Sequence, residues 1–592
     1  MSAWRSPQHV EAIAAVERWL SERVPGYESL DVFELAAARR GAVRGFRCVA
    51  QFADEPRRIH LLFSGAFPFE PAWLVLVDRP PFGTWPHVET DGRLCLVDER
   101  ATFDPGDPVG GVEYLFQEAF QLVRRCVEGS CKRELQDEVL SYWDGMATGI
   151  GRPILSLVDP NSSESRAIRA WWGDCLLLAD TEEAATAWLR NRYPGIRKGD
   201  LKTTPAALLW IGEPMVPGEF PRTAHDVLAM AEKVDATELL HAAAATDPQR
   251  VPVVLGMTTA HGPAFAGVIV ERPSDARGRA IIRRGFRPGR VPANLAGCRF
   301  FGPDTVRKVT VDRVDPAWVH GREADPRFAK LRSSTVVVLG CGSVGAPIAA
   351  ALANAGVGKL VLVDEQRLKA ANLGRHPLGA GSVGLPKATE LAARITKDLP
   401  HLRIEAIVDT VERLLDQRPH ILLDADLIVS ALGDWPAEAL LDAWHDANGR
   451  AVPIVYGWTE PHACAGHAVG IVQNGARFRA GIDNYGRANL ELTGWPGGPT
   501  VRREPACGAV FEPYGPVELE AIISMISGLV LDCILGQVGT STHRMWAGQE
   551  RMLTAAGGVW TDAWKVIAGS NTGSVVHERG WAEPVGQRAI AA

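Results

Sequence analysis

Val10, Ile13, Ala14, Val16 and Leu20 fall on one side of a 3.6-residue repeat, so residues 8–22 predict an amphipathic helix. Short apolar stretches follow at 44–51, 59–64 and 73–77, which predicts a meandering antiparallel sheet. The turn-rich segment DRPPFGTWP leads into HVETDGRLCLVDE. Helical segments at 110–128 and 133–146 then close a first region, residues 1–150, of α+β character. Across residues 151–320, strand-like runs (ALLWIG, VPVVLGM, FAGVIV) alternate with helical ones (AHDVLAMAEKV, ATELLHAAAA). That stretch carries no chemical motif and no repeat, and reads as a mixed α/β linking or docking domain. From residue 334 the order becomes strand, Gly-rich turn, helix, strand: STVVVLG, CGSVG, APIAAALANAG, KLVLVD. This is a βαβ unit, the opening of a Rossmann-like parallel sheet in a third region, residues 321–592.

The chain has 592 residues, too many for one hydrophobic core, which agrees with a multidomain α/β protein. Its net charge of -7 and scattered arginines give no nucleic-acid surface. The N-terminal residues lack a basic segment followed by a long apolar core, so no signal peptide is expected. No apolar run reaches the roughly 20 residues a bilayer span requires, so no membrane association and a cytoplasmic location are expected. Ten cysteines occur without a CxxC pair, which argues against a four-cysteine zinc site. In a reducing compartment most should be buried thiols.

Gly340-Cys341-Gly342-Ser343-Val344-Gly345 fits GxGxxG and follows an apolar β-branched strand. Glycines permit a tight turn and close backbone approach to phosphate, and the next helix aims its N-terminal N–H groups at the anion. Asp364, at the end of the second strand, stands where an acidic side chain takes a ribose hydroxyl. A polar, Gly-rich loop then brings Asn372, Arg375 and Lys387. A dehydrogenase seldom places such donors just after the ribose acid, whereas a triphosphate site needs them to neutralise developing charge.

These residues resemble the adenylation domain shared by ubiquitin-activating E1 enzymes and the ThiF/MoeB sulfur-carrier activators. The family pattern of GxGxxG, Asp, NLxRQ and GxxKA is matched by Gly340 to Gly345, Asp364, Asn372-Leu373-Gly374-Arg375-His376 and Gly384 to Ala388. The resemblance implies ATP as substrate, with Asp364 on the ribose and Asn372, Arg375 and Lys387 on the phosphates. His376 stands where the family has Gln. The family's Mg²⁺-binding Asp corresponds to Asp434, which is equally placed to be a helix N-cap before WPAEALLDAW. Many members supply an arginine from ahead of the first strand, often across a dimer interface, for which Arg322 and Arg327 are the candidates.

A thiolate can take the acyl group from an acyl-adenylate. Cys507 lies in RREPACGAVFEPYGP, a Pro/Gly-rich loop that can expose a thiol, and E1 relatives bearing a catalytic cysteine place it comparably. Cys533 falls in the apolar helix that follows, Cys464 at the start of a buried strand, and Cys341 as a small filler in the Gly-rich turn. TWPHVETDGRLCLVDE resembles the active-site stretch of E2 conjugating enzymes, in which HPN precedes G-x-[IL]-C-L. Trp85-Pro86-His87 takes the HPN place, and Gly92, Leu94, Cys95 and Leu96 match the rest. His87 thus replaces the Asn that stabilises the oxyanion, and a histidine can donate a hydrogen bond or act as a base.

The chain as a whole resembles bacterial E2–E1 fusions found with CBASS antiphage systems. That likeness implies a homodimer, a partner protein with a free C-terminus (ubiquitin-like, or a cGAS-like nucleotidyltransferase), and a target lysine. The implied reaction is adenylation, transfer to Cys507, transfer to Cys95 and conjugation. A sulfur-carrier adenylyltransferase, an NAD-dependent oxidoreductase and a non-catalytic scaffold are the competing readings.

Overall fold

The computed structural model describes residues 6–38, 41–97, 102–274, 282, 284–287, 290–322, 324–503, 510–569 and 573–585. The chain forms two compact units, one of Met1–Glu182 with Thr203–Arg313 and one of Glu183–Lys202 with Val314–Ala592.

In the first unit, the helix Pro7–Arg23 begins where the Ser6 side chain accepts from the His9 N–H, with Pro7 in the first turn. Four antiparallel strands follow in sequential order: Glu28–Ser29, Ala42–Gln51, Pro56–Ser64 and Trp73–Leu76. Alternation decides which face is covered. Ile59, Leu61 and Phe63 pack in a core with Val16 and Leu20 of the first helix and Leu115, Ala119 and Leu122 of the helix Pro108–Val127. Leu62 and Val75 form a small cluster on the other face with Leu30. The segment expected as one helix over 133–146 is two, Lys132–Asp137 and Val139–Met146. Trp143 of the second is fully buried and donates its indole N–H to the Val309 carbonyl at 2.9 Å, which ties this end of the region to an eight-stranded mixed sheet. The helices Ala224–Lys233, Thr237–Ala245 and Ala293–Phe300 share a core with one face of that sheet.

The second unit is built on another eight-stranded sheet. Its parallel part runs Arg403–Ile407, Lys359–Val363, Thr335–Leu339, Leu427–Ser430 and Ile454–Thr459. Ala465–Ile471, Thr542–Ala547 and Val575–Gly580 extend it antiparallel. Val336 and Val338 pack against the helices Gly345–Asn354, Lys387–Asp398 and Pro516–Ile534, while Val337 and Leu339 pack against Val411–Gln417 and Trp435–Ala447. Burial on both faces is why Val336 to Leu339 are uniformly apolar rather than alternating. Each such side chain removed from water contributes about 1.5–3 kcal/mol.

One close approach sets the entry to this sheet: a Cβ on Gly358 would lie 1.8 Å from the Arg332 carbonyl oxygen. Gly358→Ala should therefore destabilise the unit by at least about 1–3 kcal/mol, seen as a lower thermal midpoint. Gly381→Ala, where a Cβ meets nothing within 4 Å, should leave the midpoint almost unchanged.

Candidate functional site

Thr335–Leu339 and Leu427–Ser430 lie side by side, and the chain leaves them toward opposite edges of the sheet. A crevice opens beyond the carboxyl ends of parallel strands where the order reverses in this way. The Gly-rich turn lies there. Gly340 has φ +87°, and a Cβ on it would lie 2.6 Å from the Ala431 carbonyl oxygen. A Cβ on Gly345 would lie 1.9 Å from the Gly340 carbonyl oxygen. These two positions need glycine for the turn to close. A Cβ on Gly342 would meet nothing within 4 Å, so this residue leaves bare backbone at the crevice. The helix Gly345–Asn354 starts here with no acidic residue in its first turn, which suits an anion.

Gly340, Gly342, Asp364, Lys387 and Asp434 line one cavity of about 270 Å³. The Asp364 carboxylate accepts from the Cys341 N–H and the Gln366 N–H, both at 2.7 Å, and so joins the Gly-rich turn to the next loop. Lys387, the first residue of its helix, is buried and donates to Gln366 Oε1 at 2.8 Å. Among the described residues no carboxylate forms an ion pair with it, and a buried ammonium held only by a neutral amide favours an incoming anion. Asp434 caps the helix Trp435–Ala447, with Oδ2 accepting from the Ala437 N–H at 3.1 Å. Asp434 is thus both a helix cap and a lining residue of the cavity.

Asn372 and Arg375 lie in the short 3-10 turn Ala370–Arg375, outside the lining of that cavity. The Asn372 side chain accepts from the Lys369 N–H at 3.0 Å. The Arg375 guanidinium lies 4.7 Å from the centre of the Tyr514 ring, and the Tyr514 hydroxyl bonds the Ser343 hydroxyl of the Gly-rich turn. His376 is buried: Nδ1 accepts from the Leu378 N–H at 3.1 Å, which leaves Nε2–H to donate to the Cys341 carbonyl at 2.8 Å. It is a strut for the Gly-rich turn.

The first unit holds the second site. Leu94 and Arg93 bridge back to Val88 and Val75 around the turn 89–93, which sets Glu89 beside Cys95. The Cys95 thiol donates to Glu89 Oε1 at 3.1 Å. Burial and then this bond push it up to about 12, with Arg93 acting the other way. His87 has φ +57°, a left-handed conformation costing about 1–2 kcal/mol. It is clamped on both sides: its N–H donates to the Tyr142 hydroxyl and its carbonyl accepts from the Cys95 N–H, each at 2.9 Å. Its ring nitrogens face Glu134 and Glu138, each at 3.3 Å. Cys95, His87, Glu138, Glu118 and Arg125 border a cavity of about 290 Å³.

Residues 321–513 match the ThiF family and residues 45–148 match prokaryotic E2 family B. The chain joins a ThiF-family module to a prokaryotic E2 module. An ATP-dependent ubiquitin transferase-like protein Cap2 of Pseudomonas aeruginosa is 24% identical over 404 residues, covering 64% of this chain and 69% of the relative. A sulfur carrier protein adenylyltransferase of Thermus thermophilus is 33% identical over 129 residues, covering 22% of this chain and 46% of the relative. The crystal structure of E. coli MccB is 16% identical with a TM-score of 0.30, covering 45% of this chain and 69% of that one. The two modules make this an enzyme of E1/E2 type.

Cys507 lies outside the described residues. In the ThiF module Cys341 is fully buried with its thiol pushed up, and Cys464 is buried just before the strand Ala465–Ile471. Cys533 is partly buried against the core on the helix Pro516–Ile534. Arg327 is engaged by Asp325 at 2.8 Å, Arg322 is exposed at φ +53°, and neither lines the nucleotide cavity. Among the described residues no group of three His, Cys, Asp or Glu is arranged to hold a metal, and no helix is long and apolar enough to cross a membrane. Gln366, Tyr514, Glu89, Glu134, Glu138 and Tyr142 escaped the sequence reading. Gln366 is the one with a local signal, two residues after Asp364.

Burial pushes the His376 imidazole below its ordinary value, so the unfolded chain takes up the proton first. Its contribution is present above about pH 6.5 and is lost as pH falls through the folded value. His376→Gln keeps a donor without the titration. Thermal midpoints measured from pH 7 to pH 5 should show wild type losing ground to this variant.

Proposed function

We propose that this chain uses Mg·ATP to adenylate the C-terminal carboxylate of a protein and then passes the acyl group through two cysteines to a target lysine. The observation that carries this reading is a buried Lys387, ion-paired with no carboxylate among the described residues, beside an open Gly342 backbone, in the same chain as a thiol cavity. In the first step a carboxylate oxygen attacks the α-phosphorus and pyrophosphate leaves. Lys387, Arg375, Asn372 and the Gly-rich backbone would hold the phosphates, and Asp364 the ribose. Asp434 keeps one oxygen for a hard cation, and a single carboxylate plus substrate phosphates is an ordinary Mg²⁺ ligand set. That ion would neutralise charge on the transferring phosphoryl group.

Cys507 would then take the acyl group from AMP, and Cys95 would take it from Cys507. His87, in place of an asparagine, is the candidate to steady the oxyanion as a lysine attacks. Joining both modules in one chain raises the effective concentration of one thiol near the other. The activated protein is expected to be ubiquitin-like or a cGAS-like nucleotidyltransferase. We further propose a homodimer in a reducing cytoplasm. A sulfur-carrier adenylyltransferase accounts for the nucleotide cavity alone and leaves the Cys95 cavity without a purpose.

Mg·ATP with a candidate partner should give a DTT-sensitive adduct on non-reducing gels. Cys507→Ala should abolish it, and Cys95→Ala should stall it on Cys507. An adduct that forms on Cys95 without Cys507 would refute the relay order. Lys387→Ala should slow ATP–pyrophosphate exchange by about 100-fold or more. Asp434→Asn retains the helix cap but not the charge, so exchange should fall while the thermal midpoint stays put. A fall in midpoint alone would assign Asp434 to the cap.

A further inference from the structure

Three observations at Cys95 are not explained by its being an acyl acceptor. First, the sulfur is half-buried and hydrogen-bonded to a carboxylate, which opposes ionisation. Second, the cations nearby are weakly placed or occupied. Arg93 lies on the same turn but 3.7 Å from Glu89, and Arg125 pairs with Glu134 at 3.2 Å. Third, the other elements packed around the cavity add acid rather than base: Glu118 from one helix, and Glu138 with the Tyr142 hydroxyl from the Lys132–Met146 pair. His87 is turned between Glu134 and Glu138. Burial and the Glu89 bond both push this thiol up, to about 12. This setting disfavours a pre-formed thiolate, and the 3.1 Å contact with Glu89 gives the proton a place to go as the new bond forms.

We infer that Glu89 is the general base for acyl transfer onto Cys95 and, in the resting chain, the acceptor that keeps this sulfur protonated. The inference rests on the reading of Cys95 as an acyl acceptor. Sγ attacks the carbonyl carbon of the incoming thioester while its proton moves to Glu89 Oε1 across the existing 3.1 Å contact. Collapse of the tetrahedral adduct breaks the donor's C–S bond, and the departing thiolate takes the proton from the Glu89 carboxylic acid. Nothing is oxidised or reduced. The position of Glu89 is set by the hairpin: its N–H donates to the Arg93 carbonyl and its carbonyl accepts from the Gly92 N–H, both at 2.9 Å. Gly92 is needed at φ +88°, where a Cβ would lie 2.6 Å from the Leu76 carbonyl oxygen. Acid–base assistance of this kind contributes about 10²–10⁴-fold.

The test is an opposition between two rates on the same full-length variant. Glu89→Gln removes the carboxylate that holds the thiol protonated, so alkylation of Cys95 by iodoacetamide at pH 7 should become about tenfold faster. The same change removes the base. Acyl transfer from the mercaptoethanesulfonate thioester of a glycine-terminated peptide should slow about 100-fold and acquire a steeper rise between pH 6 and pH 8. Glu89→Asp should recover part of the transfer rate, and Glu138→Gln should not show the opposition. If both rates rise in Glu89→Gln, the carboxylate is only a restraint and the inference falls. If neither moves, or if Glu138→Gln gives the opposed pair instead, Glu89 is not the base. The peptide thioester needs neither ATP nor Cys507, so failure of the adenylation relay would be read separately from this result. Failure of Cys95 to accept the peptide at all in wild type would overturn the inference at its root.

Discussion

The contact between the Gly345 Cα and the Gly340 carbonyl oxygen is the constraint on which the nucleotide site depends. It lets the chain turn from the strand Thr335–Leu339 into the helix Gly345–Asn354 within five residues. The crevice at the strand reversal is thereby floored with backbone rather than side chains. Several side chains are tied to this turn. Asp364 accepts from Cys341, His376 donates to Cys341, and Tyr514 carries Arg375 to Ser343. A turn held from three sides can present its amides to phosphate without reorganising, which is how electrostatic stabilisation becomes effective.

The two sites set different groups among their carboxylates. In the ThiF module a buried ammonium, paired with no carboxylate among the described residues, shares its cavity with Asp364, Glu365, Asp409, Glu412 and Asp434. In the E2 module carboxylates surround a half-buried thiol, and the site resists forming negative charge on sulfur. In the first, Lys387 and the bare Gly342 backbone are the groups that favour an anion. The second suits a thiol that stays inert until an acyl donor is in place, with proton removal coupled to bond formation. His87 belongs to this second design, since its left-handed backbone is clamped by Tyr142 and Cys95 while its ring lies between two glutamates.

Local patterns were legible wherever one face of an element meets one core. The helix expected over 8–22 is Pro7–Arg23, and the strands expected at 44–51, 59–64 and 73–77 are Ala42–Gln51, Pro56–Ser64 and Trp73–Leu76. Cys464 reads as the start of a buried strand and Cys341 as a small filler in the Gly-rich turn, and both are buried. The pair of helices at 132–146 was read as one because the apolar spacing continues through Glu138, where the backbone leaves helical geometry. Cys507 falls outside the described residues, so its place in the site rests on sequence likeness alone.

The amino-acid order by itself determined the modules, because strand–GxGxxG–helix and the GRLCL stretch are local signatures written in consecutive residues. It also brought out Asp364, Lys387, Asp434 and Cys95, whose residue types and spacings carry recognisable chemistry. Only the tertiary structure decided what those residues touch. Lys387 meets Gln366 rather than an acid, Asp434 caps a helix at the rim of the cavity, and His376 braces a turn. Glu89, Glu134 and Glu138 are ordinary acidic residues in sequence, and they acquire meaning only when folding sets them around a sulfur and an imidazole. The physical reason is that ionisation and hydrogen bonding depend on desolvation and on neighbours distant in the chain, neither of which a local pattern encodes.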